Sequence, residues 1–518
     1  MQRISATHLL LAFILLLLFG WLGIQPLSLE EPRRAVVAME MLFSGDYIAP
    51  SIFGEAYYKK PPVWNWILVA AFSLFGDDSE FALRFFSVIS FLATGFLLFW
   101  FTRKHYNKEV ALTSTLLYLV SADIFLYFSL TAEIDLFYSL LILGIFLFSY
   151  HFYDKHKPWA LFLSVYCIGA VAFLTKGMPT LVFIPLTLLC LFILKKNVRG
   201  LFSLPHYTGI LLFFLLIGTY LWIFSRQGDI RTLLEILWDE SSQRTAGNSP
   251  WYSFFTHLLV FPLELLKNLF PASLLLLFLY RFRTSIRYSE TDRIIFWIIA
   301  VNILVYWLSP GTRQRYVYML YPLMILLLSS QYHQVLLQTQ KQFFRLNLVL
   351  AVLLILAYSL FPFLPSLAFL PNRMWASALG ILLLAAAACL FLFRYNSPIL
   401  FLAVMMIALR LTGNLCLVTY RGTTAYPDKA EAETGRMIGA LTQGQKLFVL
   451  GQSEIPLRIA YYAYREREAP FAMDRRLLPE RLYLSDELQL SRQEQIEIVD
   501  TFILADQSRL YLVYHPAP

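Results

Sequence analysis

Two acids, Glu30 and Glu31, and two lysines, Lys59 and Lys60, lie near the ends of the stretch from Leu29 to Pro62, LEEPRRAVVAMEMLFSGDYIAPSIFGEAYYKKPP. A carboxylate can take a proton from an attacking hydroxyl, and a lysine or arginine can hold the charge of a departing phosphate. Carboxylates facing such cations suit transfer from a phosphate-linked donor. Plainer roles exist for the same residues: acids ahead of Pro32 suit the positive end of a helix, and lysines beside a membrane anchor to headgroups.

The elements that must position these groups are legible around them. Pro32 opens a short helix over Arg33 to Phe43, and Ser44-Gly45-Asp46 stops it. After Pro61-Pro62 comes an apolar run, Val63 to Phe75, closed by Gly76-Asp77-Asp78. At about 13 residues it is shorter than a span and reads as interfacial or re-entrant. The chain around this loop is a membrane protein. It has 518 residues, 58% hydrophobic and 15% charged, with a mean hydropathy of +0.61, against roughly 25% charge in soluble domains.

Apolar runs long enough to cross a bilayer fall near residues 8–25, 81–101, 109–128, 134–152, 158–175, 178–194, 207–225, 257–280, 294–309, 316–333, 346–364, 374–393 and 398–420, about thirteen in all. The first is read as a retained span, because Trp21-Leu22-Gly23-Ile24 gives no small-x-small cleavage site. With the N-terminus inside, the even connections hold Arg103, Lys104, Lys155, Lys157, Lys195, Lys196, Arg281, Lys341 and Arg345, as the positive-inside rule expects. The net charge of +8 therefore orients loops and implies no nucleic acid partner. Cys167, Cys190, Cys389 and Cys416 all sit in apolar runs, without metal-ligand spacing or a disulfide framework.

The outward loops keep an excess of charge that topology does not explain. Glu30 and Glu31, then Glu133 and Asp135, then Asp239 and Glu240 collect there with Arg33, Arg34, Lys60, Lys176, Arg244, Arg313 and Arg315. A charge centred in the bilayer costs about 2.5–3.5 kcal/mol on insertion scales, which favours paired or functional groups. Glu133 and Asp135 could simply cap a helix start. Lys176, before Gly177-Met178-Pro179, could snorkel or bind phosphate, and Arg313 to Tyr316 could anchor to headgroups. His257 reads as a polar helix-end residue.

From Arg421 the composition turns polar. A helix near Ala430 to Leu441, a strand at Lys446 to Leu450 and another at Leu510 to Tyr514 predict a small α/β domain over 421–518. The expected fold is thus an all-α polytopic membrane domain over 1–420, with its first outer loop, 26–80, carrying the site, and a soluble outer-face domain behind it.

The order Glu30-Glu31-Pro32-Arg33, Met41 to Asp46, Tyr57, Lys60-Pro61-Pro62 and Leu74-Phe75-Gly76 resembles the first periplasmic loop of the bacterial aminoarabinose lipid A transferases and protein mannosyltransferases, which are C-type glycosyltransferases. Thr131 to Tyr138 (TAEIDLFY), Phe173 to Pro179 (FLTKGMP) and Arg313 to Pro322 (RQRYVYMLYP) follow in the family's order. The resemblance implies the C-type fold, an inner-membrane location and a site on the periplasmic side. It also implies a polyprenyl-phosphate sugar donor and a lipid, glycan or protein acceptor. Glu30 stands where the family has its catalytic aspartate, and Arg33 and Lys60 stand where it contacts the carrier phosphate. Glu31 and Tyr57 also fit the pattern, Asp135 matches the acid of the second outer loop, and Tyr316 matches the tyrosine of a later one. Lys176, Arg244 and Arg313 are further candidate contacts. Lys59 occupies a position where aminoarabinose transferases typically carry glutamate, so the class is better matched than that sugar.

The mechanism implied is attack by an acceptor hydroxyl or amine on the anomeric carbon, with Glu30, or second Asp135, as base. It is one step, inverting, and needs no nucleotide. The sequence requires no cofactor, and a divalent metal is compatible with it. A transporter or flippase of lipid-linked sugars is the rival reading, but it would spread charge along a crossing path, often in repeated halves. Here the charge gathers at one face.

Overall fold

The computed structural model describes residues 6–245, 251–390, 398–490 and 496–516, and the chain is mostly helical. Its helices are α1 (Ala6–Phe19), α2 (Glu31–Ser44), α3 (Val63–Phe75), α4 (Glu80–His105), α5 (Lys108–Leu119), α6 (Ala122–Leu126), α7 (Ile134–Asp154), α8 (Pro158–Lys176), α9 (Pro179–Leu194) and α10 (Leu204–Phe224). There follow α11 (Ile230–Thr245), α12 (Trp251–Asn268), α13 (Leu275–Arg281), α14 (Glu290–Trp307), α15 (Tyr321–Leu360), α16 (Arg373–Leu390), α17 (Pro398–Thr412), α18 (Thr419–Arg421), α19 (Pro427–Leu441) and α20 (Leu457–Arg467), and α21 (Glu487–Leu490) is a last short turn.

The chain divides into two compact units. One gathers Met1–Trp21, Ser87–Tyr220 and Leu234–Leu417, the other Leu22–Phe86, Leu221–Leu233 and Val418–Pro518. Among the described residues six helices are long and apolar enough to cross a membrane, or eight if two bent pairs each count as one span. The expected span 109–128 is such a pair, α5 and the segment from Ala122 to Leu130, bent by 47° where the ladder fails at Val120-Ser121. The pair formed by α12 and the segment from Ala272 to Arg281 bends by 108°. Ala122 N donates to Phe270 O at 2.7 Å, so one break supplies a backbone acceptor for the other, which is how irregular chain survives at membrane depth.

One expectation is corrected. The spans read from the sequence leave a connection at Lys341 and Arg345, whereas α15 runs unbroken for 40 residues. Charge suggested a loop, but Gln, Lys and Leu are good helix formers, and after Pro322 at its start α15 has no Gly or Pro to break it.

The second unit holds the loop over 26–80 read from the sequence. Pro32 starts α2, and Gly45 ends it in the left-handed conformation (φ 70°), its N–H returning to Met41 O at 3.0 Å. A β-hairpin, β1 (Ser51–Ile52) and β2 (Glu55–Ala56), leads to α3, whose bounds are those of the interfacial run read from sequence. The same unit contains a five-stranded sheet of β3 (Leu447–Leu450), β4 (Ala472–Asp474), β5 (Arg481–Asp486), β6 (Glu497–Ile503) and β7 (Arg509–His515). Its order is β4-β3-β5-β7-β6, with β3 parallel to both neighbours and the rest antiparallel. Helix α20 of this domain packs on α2, so the first loop and the C-terminal domain are in direct contact.

Candidate functional site

Charged candidates form one cluster within each unit. In the unit of the first loop, Glu30 is the N-cap of α2. Its carboxylate accepts a hydrogen bond from Arg33 Nη1 at 2.6 Å, and the side chains stay 31% and 37% exposed, open to a substrate. Burial raises the Tyr57 hydroxyl above the usual phenol range, against the opposing charges of Arg34 and Arg33. Lys60 is partly buried, just ahead of the Pro61-Pro62 that opens α3.

Glu31 has a different setting. Its carboxylate and the Arg84 guanidinium are both fully buried. Arg84 Nε and Nη2 donate to Glu31 at 2.8 and 2.9 Å, Nη1 to Leu22 O and Gln25 O at 2.8 and 2.9 Å, and Nη2 also to Pro26 O at 2.9 Å. All five guanidinium donors are thus used, and Ser28 N adds a 2.8 Å bond to Glu31. Removing one partner of a buried pair strands the other charge at a cost of about 3–5 kcal/mol. Arg84→Met is therefore expected to lower thermal stability by that amount, and a melting curve matching wild type would contradict it.

In the other unit, Asp135 stands in the first turn of α7 and is buried. Lys176, the last residue of α8, reaches Asp135 Oδ1 at 2.5 Å, and Gly177 follows at φ 83° to turn the chain. Arg315 Nη1 lies 3.1 Å from Glu133 Oε1 and its Nε 3.8 Å from Asp135 Oδ2. The Lys176 ammonium lies 4.9 Å from the ring centre of Tyr138 and 4.7 Å from that of Tyr316, where ring quadrupoles favour a cation. Two carboxylates and two cations make this cluster formally neutral.

Residues of the 3-10 turn Gln314–Leu320 reach different partners. Arg315 and Tyr316 meet the acids and Lys176, while Gln314 donates to Glu264 at 3.0 Å and Tyr318 donates to Asp123. Arg313, the residue singled out from sequence, is exposed. Arg244 lies near the end of α11, and its side chain is outside the described residues. His257 contacts Tyr306 O at 3.3 Å, as a helix residue with a backbone partner. Among the described residues no three His, Cys, Asp or Glu side chains are grouped to hold a metal.

Sequence reasoning passed over Arg84, Tyr138 and, as a site residue, Arg315. The RQRY stretch offered two arginines of equal standing, and only the backbone of a 3-10 turn separates their directions. Arg84 carried a signal, a lone guanidinium early in an apolar span, where charge demands a partner.

The fold of this chain is similar to a solved one. It matches the crystal structure of ArnT from Cupriavidus metallidurans bound to undecaprenyl phosphate with a TM-score of 0.73 over 98% of both chains, at 19% identity. In sequence, residues 59–223 match the family model for dolichyl-phosphate-mannose-protein mannosyltransferase. The chain is 30% identical over 198 residues to undecaprenyl phosphate-alpha-4-amino-4-deoxy-L-arabinose arabinosyl transferase 2 of Proteus mirabilis, covering 36% of this chain and 35% of that one. It is 31% identical over 217 residues to a protein of Aquifex aeolicus, covering 42% and 47%. The matches thus span less than half the length of these relatives. In fold, and over part of its length in sequence, the chain is similar to polyprenyl-phosphate-dependent glycosyltransferases.

Proposed function

We propose that this protein transfers a glycosyl group from a polyprenyl-phosphate sugar to a lipid, glycan or protein acceptor on the outer face of a bacterial inner membrane. The observation that carries the reading is the Glu30–Arg33 pair: a partly exposed carboxylate held beside a guanidinium at the start of α2. Glu30 takes the proton of the acceptor hydroxyl or amine as its lone pair attacks the anomeric carbon. The bond from that carbon to the phosphate oxygen breaks, and the phosphate keeps the electron pair. Arg33 and Lys60 hold the charge that develops, and Tyr57, whose hydroxyl feels the charge of Arg33, is a further donor contact. One displacement inverts the anomeric centre, with no covalent sugar–enzyme intermediate and no nucleotide.

The three candidate acids divide by setting. Glu31 is committed to Arg84, and Asp135 is buried against Lys176 and Arg315, so Glu30 is assigned as base, Glu31 as structural, and Asp135 as the anchor of Lys176. The periplasmic orientation rests on the loop charges. Dependence on a divalent metal is read directly by assaying chelator-treated enzyme with and without added metal. Lys60→Ala tests the phosphate clamp: a lost charge-assisted bond is worth about 1.5–3 kcal/mol, so binding of undecaprenyl phosphate should weaken roughly 10- to 100-fold. Unchanged affinity would remove Lys60 from the clamp.

A further inference from the structure

The turn from Leu22 to Glu31, which delivers Glu30, contains a strained residue. Leu29 has φ 54°, a left-handed conformation that a leucine adopts only when its surroundings over-determine it. Arg84 fixes the start of this turn through three carbonyls. The remaining constraint comes from the C-terminal domain.

Residues 458, 461, 462 and 465 of α20 recur at i, i+3, i+4 and i+7, one helix face. That spacing usually carries aliphatic side chains. Here it carries Arg458, Tyr461, Tyr462 and Arg465, with both tyrosines buried, and each polar end meets the first loop or the residues that follow it. Arg458 Nε donates to Leu27 O at 2.7 Å, and Leu27 N donates to Tyr462 Oη at 3.3 Å, so both polar groups of Leu27 are held by α20. Tyr462 Oη in turn donates to Glu80 Oε1 at 2.7 Å. Arg465 pairs with Asp78 and Glu80 at 3.1 and 3.2 Å, and Tyr461 donates to Asp78 O. On a neighbouring face Tyr464 donates to Glu40 Oε1 at 2.9 Å.

We propose that α20 is a positioning element of the reaction, with Tyr462 as the residue that sets where the Glu30 turn sits. This rests on Glu30 being the base. The C-terminal domain then acts on turnover through the geometry of the first loop, whatever acceptor it meets.

The test uses the full-length enzyme in its membrane. Tyr462→Phe keeps the ring and its packing on Tyr461 but loses the hydroxyl. A small displacement of a reacting group costs up to about 100-fold in rate, so turnover at saturating donor should fall about 10- to 100-fold while undecaprenyl phosphate affinity stays at the wild-type value. Glu31, fully buried in the wild type, should become reactive to a water-soluble carbodiimide, read by peptide mass spectrometry. Val513→Ala, in the core of the same domain's sheet, lowers domain stability without touching α20's polar face and should leave both readouts unchanged. Wild-type turnover in Tyr462→Phe, a parallel loss of donor affinity, a still-protected Glu31, or the same rate loss in Val513→Ala would each overturn the proposal. Failure of the base assignment shows separately, as normal turnover in Glu30→Gln.

Discussion

Replacing Glu30 by Gln is expected to slow transfer by about 100- to 10,000-fold, the span of a lost general base, while donor affinity holds. The amide keeps the volume of the side chain and one oxygen for the 2.6 Å bond from Arg33, so the start of α2 should keep its geometry. What it loses is the ability to accept a proton. Single-turnover rates report the chemistry, and undecaprenyl phosphate binding reports the clamp, so the two effects separate. Normal turnover in this variant would remove Glu30 as base and return attention to Asp135.

Lys176→Met should be the most costly change in the other cluster. It leaves Asp135 buried, with Arg315 at 3.8 Å as its remaining ionic partner, and stranding such a charge costs about 3–5 kcal/mol. Adding Asp135→Asn removes that charge, and most of the lost stability should return, because the two substitutions share one interaction and are not additive. Donor affinity gives the second readout. If Lys176 meets the carrier phosphate, the double variant recovers its melting temperature but not its affinity for undecaprenyl phosphate. Recovery of both would make Lys176 a structural partner of Asp135 alone.

Much of this was legible in the chain because local rules agree there. Pro32 and Gly45 mark α2, Pro61-Pro62 and Gly76 mark α3, and α19 with two of the five strands of the C-terminal sheet, β3 and β7, appear where period and turn residues place them. Charge against the topogenic bias pointed to Glu30, Asp135 and Lys176. Long-range pairing was harder to read. Nothing in the spacing of Glu31 and Arg84 reveals that they neutralise each other, and Glu31 read as an open acid until its partner was seen. Arg313 and Arg315 differ only in the direction a 3-10 turn gives them. The polar face of α20 lies more than 350 residues from the loop it grips, as the separation of Tyr462 from Glu80 shows. In α15, charge was mistaken for a loop although the run holds good helix formers and no Gly or Pro after Pro322.

Glycosyl transfer from a polyprenyl phosphate is read by following a labelled sugar. Purified enzyme would be given membranes from its source and polyprenyl-phosphate sugars labelled in the sugar, with the product's anomeric configuration determined. Label is expected to leave the lipid for an acceptor with inversion, in the wild type and not in Glu30→Gln. Label that crosses the bilayer still attached to its lipid, with no acceptor labelled, would contradict it.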